Sequence, residues 1–283
     1  MTLERFIKLL KVSVLGVILL FEAYVIYRYF ESEPVDDASG HYIVSIDSAI
    51  TVKMSDQIMN ALTRKEQEGE LKSLLVVFDT PGGSPVASEN LYCYFKALAK
   101  RIPLYMYVNS AAVSGGYYIA VASKPIYANK NALVGSVGVV MQNFSLAKMA
   151  HELGVEDETL SAGEFKYLMS PLKHTDESTK AYLKEYLLNP VYQNFAYTVA
   201  QERNITIEDE KTFFEGRIFV AGDPRVYGVL VDEIISYPDM LGRIRHEQNA
   251  TMLSRLEYRP KVSNFVSQLL ESAAMFDIGI KLH

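Results

Sequence analysis

A serine followed by two glycines is the stretch of this sequence whose residue types best suit covalent chemistry. Ser114 lies in the run Ala-Val-Ser-Gly-Gly-Tyr-Tyr over residues 112–118. The segment before it (103–108) has the content of a buried strand, and the segment after it (117–122) suits a helix. At the first turn of a helix, unpaired amides and the positive end of the dipole favour an anionic oxygen. The pattern therefore indicates a nucleophile, although an ordinary strand-to-helix turn can carry the same residues.

A second glycine-rich stretch also follows a predicted strand and precedes a predicted helix. Residues 79–84 read Asp-Thr-Pro-Gly-Gly-Ser and lack the full phosphate-binding glycine patterns. The ends of strands are where an α/β sheet presents its ligand sites. We predict that the amides of Gly83 and Gly115 form an oxyanion hole, in which one donor typically contributes ~2.7–4 kcal/mol.

A serine nucleophile needs a base, and the histidines are poorly placed to supply one. All five lie in segments without the character of a site: His41, His151, His174, His246 and His283. Position 112 is also alanine, which departs from the G-x-S-x-G turn of Ser-His-Asp enzymes. A triad is therefore the weaker interpretation.

Lysine can replace histidine when burial keeps its amine neutral. Lys166 ends the glycine-punctuated stretch 161–166, and its neighbours Phe165, Leu168 and Met169 are apolar enough to desolvate it. A surface lysine is the alternative interpretation. A further serine between glycines, Ser136, lies in residues 135–139.

Strand and helix patterns alternate along the chain and predict an α/β fold. The predicted strands are 41–46, 74–78, 103–108, 126–128 and 134–140. The predicted helices are 52–67, 88–100, 117–122, 146–153 and 175–203. Thr175 is expected to cap the last of these helices and Pro190 to kink it.

Composition limits the function classes. The chain has 283 residues, is 49% hydrophobic and carries a net charge of −6, which suits one large or two small domains and gives no indication of a nucleic-acid partner. One cysteine, Cys93, excludes disulfides within a chain and cysteine-rich metal sites, and it is predicted to be a buried apolar residue. We expect neither a metal nor a cofactor.

The amino-terminal segment is almost wholly apolar. Residues 9–30 meet the length of roughly 20 residues that a membrane-spanning helix needs. A cleavable signal peptide is a less suitable interpretation, because this segment has no small-x-small cleavage site. A buried amphipathic helix is the remaining alternative. Glu22 would cost about 2.5–3.5 kcal/mol at mid-membrane, so it is expected near the far interface or against a partner helix.

The distribution of charge around this span predicts its orientation. Basic residues lie at the amino-terminal end of the span, with Arg5 and Lys8 before it and Lys11 in its first turn, whereas acidic residues follow it in the proline-containing linker 31–40. The positive-inside rule places the amino terminus in the cytoplasm and the folded region outside it. The predicted organisation is a stub and anchor (1–30), the linker (31–40), a catalytic domain (41–239) and a mainly helical tail (240–283).

Taken together, the motifs resemble the signal peptide peptidase family of the SppA type. Five motifs occur in that family's order and spacing: residues 79–84, 112–118, 135–139, 161–166 and 195–203. The resemblance extends from about residue 41 to residue 233, through 216–219 and 228–233. Thr80, where the family often has serine, and residues 167–169, which replace a more polar stretch, depart from the pattern.

The resemblance implies a membrane-anchored serine protease of the ClpP/crotonase-like fold that cuts leftover signal peptides at the inner membrane. It implies that Ser114 is the nucleophile, Lys166 the general base and Ser136 the hydroxyl that orients the lysine. Gly83 and Gly115 match the oxyanion donors. Single-length members form rings or domes in which serine and lysine meet across a subunit boundary. A crotonase-type acyl-CoA enzyme and a non-proteolytic membrane scaffold are the alternatives.

Overall fold

A mixed sheet organises the folded region. The computed structural model describes residues 39–206 and 211–258, and within them eight strands form one sheet. The strands are β1 (His41–Ile46), β2 (Ser73–Thr80), β3 (Leu104–Val113), β4 (Ile126–Ala128), β5 (Leu133–Gly135), β6 (Ile218–Val220), β7 (Glu233–Ile234) and β8 (Ser254–Arg255). Their order is β6-β5-β3-β2-β1-β8, and β4 pairs with both β3 and β7. Every pair is parallel except β5 with β6.

Helices connect these strands, as the alternating pattern predicts for an α/β fold. They are α1 (Val52–Gln67), α2 (Pro85–Leu98), α3 (Gly115–Ala120), α4 (Ala147–Glu152), α5 (Glu177–Leu183), α6 (Asn189–Arg203) and α7 (Tyr237–Glu247). A 3₁₀ helix (Glu164–Tyr167) and a π-helical segment (Lys184–Leu188) lie between α4 and α6. The side chain of Thr51 caps α1 and that of Ser84 caps α2, as expected for small polar N-cap residues.

The central strands are apolar because both of their faces are covered. From Ser73 to Phe78, every residue of β2 is buried, which is typical of a parallel strand between two helical layers. One face packs on α7 through a cluster of Ile43, Leu75, Val77, Tyr105, Tyr107, Tyr127, Met240 and Ile244. Side chains alternate along a strand, so Leu74, Val76 and Phe78 point to the opposite face.

The boundary drawn at residue 240 falls inside a helix. Helix α7 begins at Tyr237, and Met240 and Ile244 are fully buried against the sheet. Beyond it, β8 extends the sheet in parallel with β1 rather than adding to a helical tail. Residues 237–256 thus belong to the same compact unit as the sheet, residues 39–256.

The long helix predicted over 175–203 has an interrupted form. Its cap is Asp176, whose carboxylate accepts from the Thr179 amide, and not Thr175. A π-helical turn precedes Pro190, which cannot donate a backbone hydrogen bond to the previous turn. Within the predicted range 175–203, Phe195 and Val199 are buried, whereas Leu187 is exposed.

Residues 140–188, which we call the arm, pack much less than the sheet. Of the arm residues whose burial the structure describes, Ser170 alone is buried. Large apolar side chains are exposed along it: Val140, Met141, Phe144, Leu146, Met149, Leu153, Val155, Leu160, Phe165, Met169, Tyr186 and Leu187. This density of exposed apolar residues is unusual for a surface that stays in water.

Two other predictions concern single segments. Cys93 is exposed and not buried, because α2 turns Ala87, Leu91 and Phe95 toward the core and Cys93 away from it. The predicted span 9–30 lies outside the described residues. Among the helices that the structure does describe, none has both the length and the apolar character to cross a bilayer.

Candidate active site

Ser114 stands at the sharp turn between β3 and α3. Its backbone has φ 53° and ψ −126°, a conformation that non-glycine residues rarely adopt. The Ser114 amide donates to the Gly135 carbonyl at 2.9 Å, and the Ser114 carbonyl accepts from the Tyr117 amide at 2.9 Å. These bonds hold a strained backbone in place, which is characteristic of functional turns such as nucleophile elbows.

The glycine-rich loop after β2 packs directly against this turn. Thr80 Oγ1 donates to the Ser48 carbonyl at 2.7 Å and accepts from the Gly82 amide at 3.1 Å. A Cβ atom on Gly82, which has φ +98°, would lie 2.7 Å from the Cβ of Ser114. Only glycine fits at this position without displacing the serine.

The amides of Gly83 and Gly115 lie close together and are available to a ligand. A Cβ on Gly115 would lie 3.3 Å from the Gly83 nitrogen and 2.3 Å from Ser88 Oγ. Among the described residues, neither amide donates a hydrogen bond to another protein group. Two unpaired amides beside a serine hydroxyl have the composition of an oxyanion hole.

A bulge in β3 positions the end of that strand, and sequence reasoning missed it. Phe78 pairs with Val108, but Asp79 pairs with Ala111, so Asn109 and Ser110 are extra residues in β3. The Asp79 carboxylate accepts from Asn109 Nδ2 at 3.1 Å and from the Ser110 amide at 2.8 Å. Polar residues at 109–110 inside an apolar strand were the available signal.

Ser136 occupies the matching position on the neighbouring strand. Val113 of β3 pairs with Gly135 of β5, so Ser114 and Ser136 each follow a paired residue at the same edge of the sheet. Ser136 also has a positive φ of 54°, and its amide donates to the Arg217 carbonyl at 2.6 Å. The structure thus brings the two predicted serines to adjacent strand ends.

A cavity of about 200 Å³ opens beside Ser114 and Gly115. Its walls are mainly apolar and come from α2, α3, α6 and the start of the arm: Pro85, Val86, Tyr118, Val140, Val191 and Phe195. The rings of Tyr118 and Phe195 lie 5.0 Å apart between centroids. The arrangement can bind an apolar side chain while the adjacent peptide carbonyl faces Ser114.

Lys166 lies elsewhere within the single chain. It is exposed on the 3₁₀ helix Glu164–Tyr167, and it is absent from the walls of the Ser114 cavity. Within the described chain, no hydrogen bond joins Lys166 to Ser114 or Ser136. Phe165 is also 51% exposed, so the apolar neighbours do not enclose the lysine in one copy.

The described histidines do not approach Ser114 either. His41 is buried and lies at the start of β1, with Nδ1 2.8 Å from Ser73 Oγ at the start of β2. Those are the amino-terminal ends of parallel strands, whereas Ser114 follows the carboxyl-terminal end of β3. The other described histidines, His151, His174 and His246, are exposed.

A buried ion pair ties α6 to the loop behind the site. Arg203 donates to both carboxylate oxygens of Asp232, at 2.8 and 2.9 Å, and to the Val229 carbonyl at 2.7 Å. Burial alone would raise the pKa of Asp232, but hydrogen bonds from Arg203 and the Ile126 amide hold that pKa below its usual value. Tyr117 of α3 donates to the Leu230 carbonyl at 2.9 Å, which connects this loop to the Ser114 helix.

These features define a class of site: a serine at a strained strand-to-helix turn, with free backbone donors, on an α/β sheet. Comparison with known proteins then places the chain. The family described as "Peptidase family S49" matches residues 96–251, and the chain belongs to this family.

Individual relatives agree with this assignment. A putative protease of Methanocaldococcus jannaschii is 31% identical over 71% of this chain and 64% of its own length. A putative signal peptide peptidase SppA of Enterococcus faecium is 29% identical over 75% of this chain and 61% of its own length. The match thus spans a little under two thirds of the length of these two relatives.

A solved membrane-bound stomatin-specific protease has 17% identity and a TM-score of 0.45 over 71% of this chain and 83% of its own length.

Proposed function

We propose that this protein is a membrane-anchored serine endopeptidase that uses Ser114 and Lys166 to degrade leftover signal peptides or other membrane-associated peptides. The observation that carries the proposal is the Ser114 turn. A strained serine lies beside two unpaired amides at the mouth of an apolar cavity. Membership of peptidase family S49 and the likeness to a putative signal peptide peptidase support the reaction and the substrate class.

The chemistry follows from the placement of these groups. The Ser114 oxygen attacks a peptide carbonyl carbon and gives its proton to the neutral amine of Lys166. The amides of Gly83 and Gly115 bind the oxyanion of the tetrahedral intermediate. The C–N bond then breaks as the protonated Lys166 gives its proton to the leaving amine. Water attacks the acyl-enzyme and gives a proton to Lys166, which passes it to the Ser114 oxygen as the acyl C–O bond breaks.

The lysine reaches the serine from a neighbouring copy of the chain. Lys166 is exposed on the arm, and the arm exposes many apolar residues that an isolated surface would not retain. Packing the arms of adjacent copies together would bury those residues and desolvate the lysine, which favours its neutral form. We therefore propose a ring or dome-like homo-oligomer in which Ser136 orients the incoming amine.

The remaining parts of the proposal concern the fold and the membrane. The mainly parallel sheet, with its serine at a strand-to-helix turn, is compatible with a ClpP/crotonase-like fold. Residues 9–30 would anchor the chain in the inner membrane, with the amino terminus in the cytoplasm and the catalytic domain outside it. An anchored domain would meet signal peptides where they are left in the bilayer.

The direct test is hydrolysis of a fluorogenic peptide by the assembled full-length chain in detergent. Ser114→Ala and Lys166→Ala should each lower kcat by at least about a thousandfold, because each removes a reacting group. Lys148→Ala removes another exposed lysine of the arm and should leave the rate unchanged.

Full activity in either dyad variant would contradict the assignment. Two further readouts identify the alternatives. Turnover of a coenzyme A thioester in place of peptide would indicate an acyl-CoA enzyme. Failure of a serine-directed acylating probe to label Ser114 in the assembled protein would indicate a scaffold.

A further inference from the structure

One carboxylate stands out at the cavity beside Ser114. Glu89 of α2 lines this cavity, whose other walls are mainly apolar. It follows Val86 by one helical turn, so both residues lie on the face of α2 that borders the cavity. A side chain that enters the cavity would therefore meet apolar walls and one negative charge.

Glu89 has no partner among the described residues. It makes no hydrogen bond or ion pair there, and it is exposed to solvent. The neighbouring cation of the same helix is already engaged, because Lys96 binds Glu202 of α6. The carboxylate of Glu89 is thus free to pair with a ligand.

The negative charge of Glu89 reaches the cavity wall. Burial raises the pKa of Tyr118, and the charge of Glu89 raises it further, against the effect of a hydrogen bond with Thr198. The pKa of Cys93, one helical turn beyond Glu89, is raised by partial desolvation and then by the same charge. Tyr118 lines the cavity, so the carboxylate lies within electrostatic range of a group bound there.

The size of the cavity limits what it can hold. Its volume of about 200 Å³ lies below the ~300–1,000 Å³ of clefts that enclose drug-sized molecules, and it suits a single amino-acid side chain. An aliphatic stem would contact Val86, Tyr118 and Phe195. A cationic tip at the end of that stem would reach the rim, where long basic side chains keep their charge in water.

We infer that Glu89 determines specificity: the cavity accepts the side chain whose carbonyl Ser114 attacks, and Glu89 selects lysine or arginine at that position. This inference rests on the proposed peptidase function and narrows its substrate class. The substrates selected in this way are membrane-associated peptides with a basic residue on the outer side of the membrane, where the proposed topology puts the catalytic domain.

The test uses three fluorogenic peptides that differ only in the residue whose carbonyl is attacked, which is Lys, Met or Glu. With the assembled full-length enzyme in detergent, kcat/KM should be about fivefold higher for the Lys peptide than for the Met peptide, the range of a partly exposed ion pair. Glu89→Gln should bring the Lys-to-Met ratio close to one. Glu89→Lys should raise the Glu-to-Met ratio above that of the wild type.

A matched control separates local charge from total charge. Asp56→Asn removes an exposed carboxylate of α1 that does not line the cavity, and it should leave all three ratios unchanged. A Lys-to-Met ratio that persists in a folded Glu89→Gln enzyme, or that falls equally in Asp56→Asn, would overturn the inference and leave the peptidase function standing. A wild-type enzyme that cleaves none of the three peptides would instead overturn the proposed function.

Discussion

The two halves of the proposed catalytic pair lie in regions of opposite character. Ser114 follows the carboxyl-terminal end of β3, an interior strand of a sheet whose central strands are buried on both faces. Hydrogen bonds and close glycine contacts fix the turn at Ser114. Lys166 stands on the arm, where apolar side chains face solvent. Under the proposed mechanism, the nucleophile would be preorganised within one copy, whereas the base would need an environment that the described single chain does not supply.

The most disruptive substitution near Ser114 is expected to be one that adds a single carbon atom to the loop packed against its turn. Gly82→Ala would place a Cβ 2.7 Å from the Ser114 Cβ and 2.9 Å from the Gly115 nitrogen, at a φ that alanine disfavours. Misplacement of a reacting group by about 1 Å can cost on the order of a hundredfold in rate. We expect kcat/KM for peptide hydrolysis to fall by about that factor.

The arm offers a matched control for this substitution. Gly154 also has a positive φ, of +74°, but a Cβ there would meet nothing within 4 Å. Gly154→Ala should lower stability by only about 1–2 kcal/mol and leave hydrolysis intact. Equal activity loss in both variants would show that the serine turn is no more constrained than the arm.

A second contrast concerns ion pairs. Asp232→Asn leaves the buried Arg203 guanidinium without its counter-charge and should lower the free energy of unfolding by about 3–5 kcal/mol in denaturant titration. Glu177→Gln removes an exposed pair of the arm, with Lys180, and should change it by less than about 1 kcal/mol.

The Asp232 pair also predicts a pH dependence of stability. The pKa of Asp232 is lower in the folded chain than in the unfolded one. The contribution of ionised Asp232 to the free energy of unfolding is therefore complete above the unfolded pKa of about 3.9. It is lost as the pH falls below that value toward the folded pKa. The loss of stability below about pH 4 should be smaller in Asp232→Asn than in the wild type. An identical pH profile would contradict this role.

The smallest effect on the single chain is expected in the arm itself. Replacing Leu153 and Leu160, which are 73% and 97% exposed, by glutamine should change chain stability by no more than about 0.5 kcal/mol per site. The same double variant should weaken assembly and lower activity in parallel, as measured by analytical ultracentrifugation and hydrolysis at several protein concentrations. Val52→Gln, at an exposed apolar position of α1, should affect neither. Unchanged assembly in the double variant would assign the arm's apolar surface to another role.

Local patterns were enough to predict much of the sheet. Three elements have the predicted bounds: the strands His41–Ile46 and Ile126–Ala128 and the helix Val52–Gln67. A buried parallel strand or a capped amphipathic helix is recognisable from the pattern of consecutive residues alone. The glycine-flanked serines were visible for the same reason. Each has a positive φ and one adjacent glycine, because Gly115 follows Ser114 and Gly135 precedes Ser136.

Features that depend on distant residues could not be read in this way. The β3 bulge needs Asp79 to bind two residues of the next strand, and Arg203 finds Asp232 only once α6 has docked. Cys93 was misplaced because its neighbours are apolar while its own helix face is not buried. The exposure of the arm's apolar residues also belongs to this group, since an apolar run in the sequence does not by itself show whether the folded chain buries it.

The central claim is that serine and lysine from different copies complete one site, and mixing the two inactive variants tests it most directly. Ser114→Ala and Lys166→Ala chains are unfolded, mixed in equal amounts and reassembled, and peptide hydrolysis is measured. If the pair forms across the boundary of a closed ring, sites with both groups intact reappear and activity returns to about a quarter of the wild-type value. If both groups act within one copy, the mixed assembly stays as inactive as either parent, and the account is contradicted.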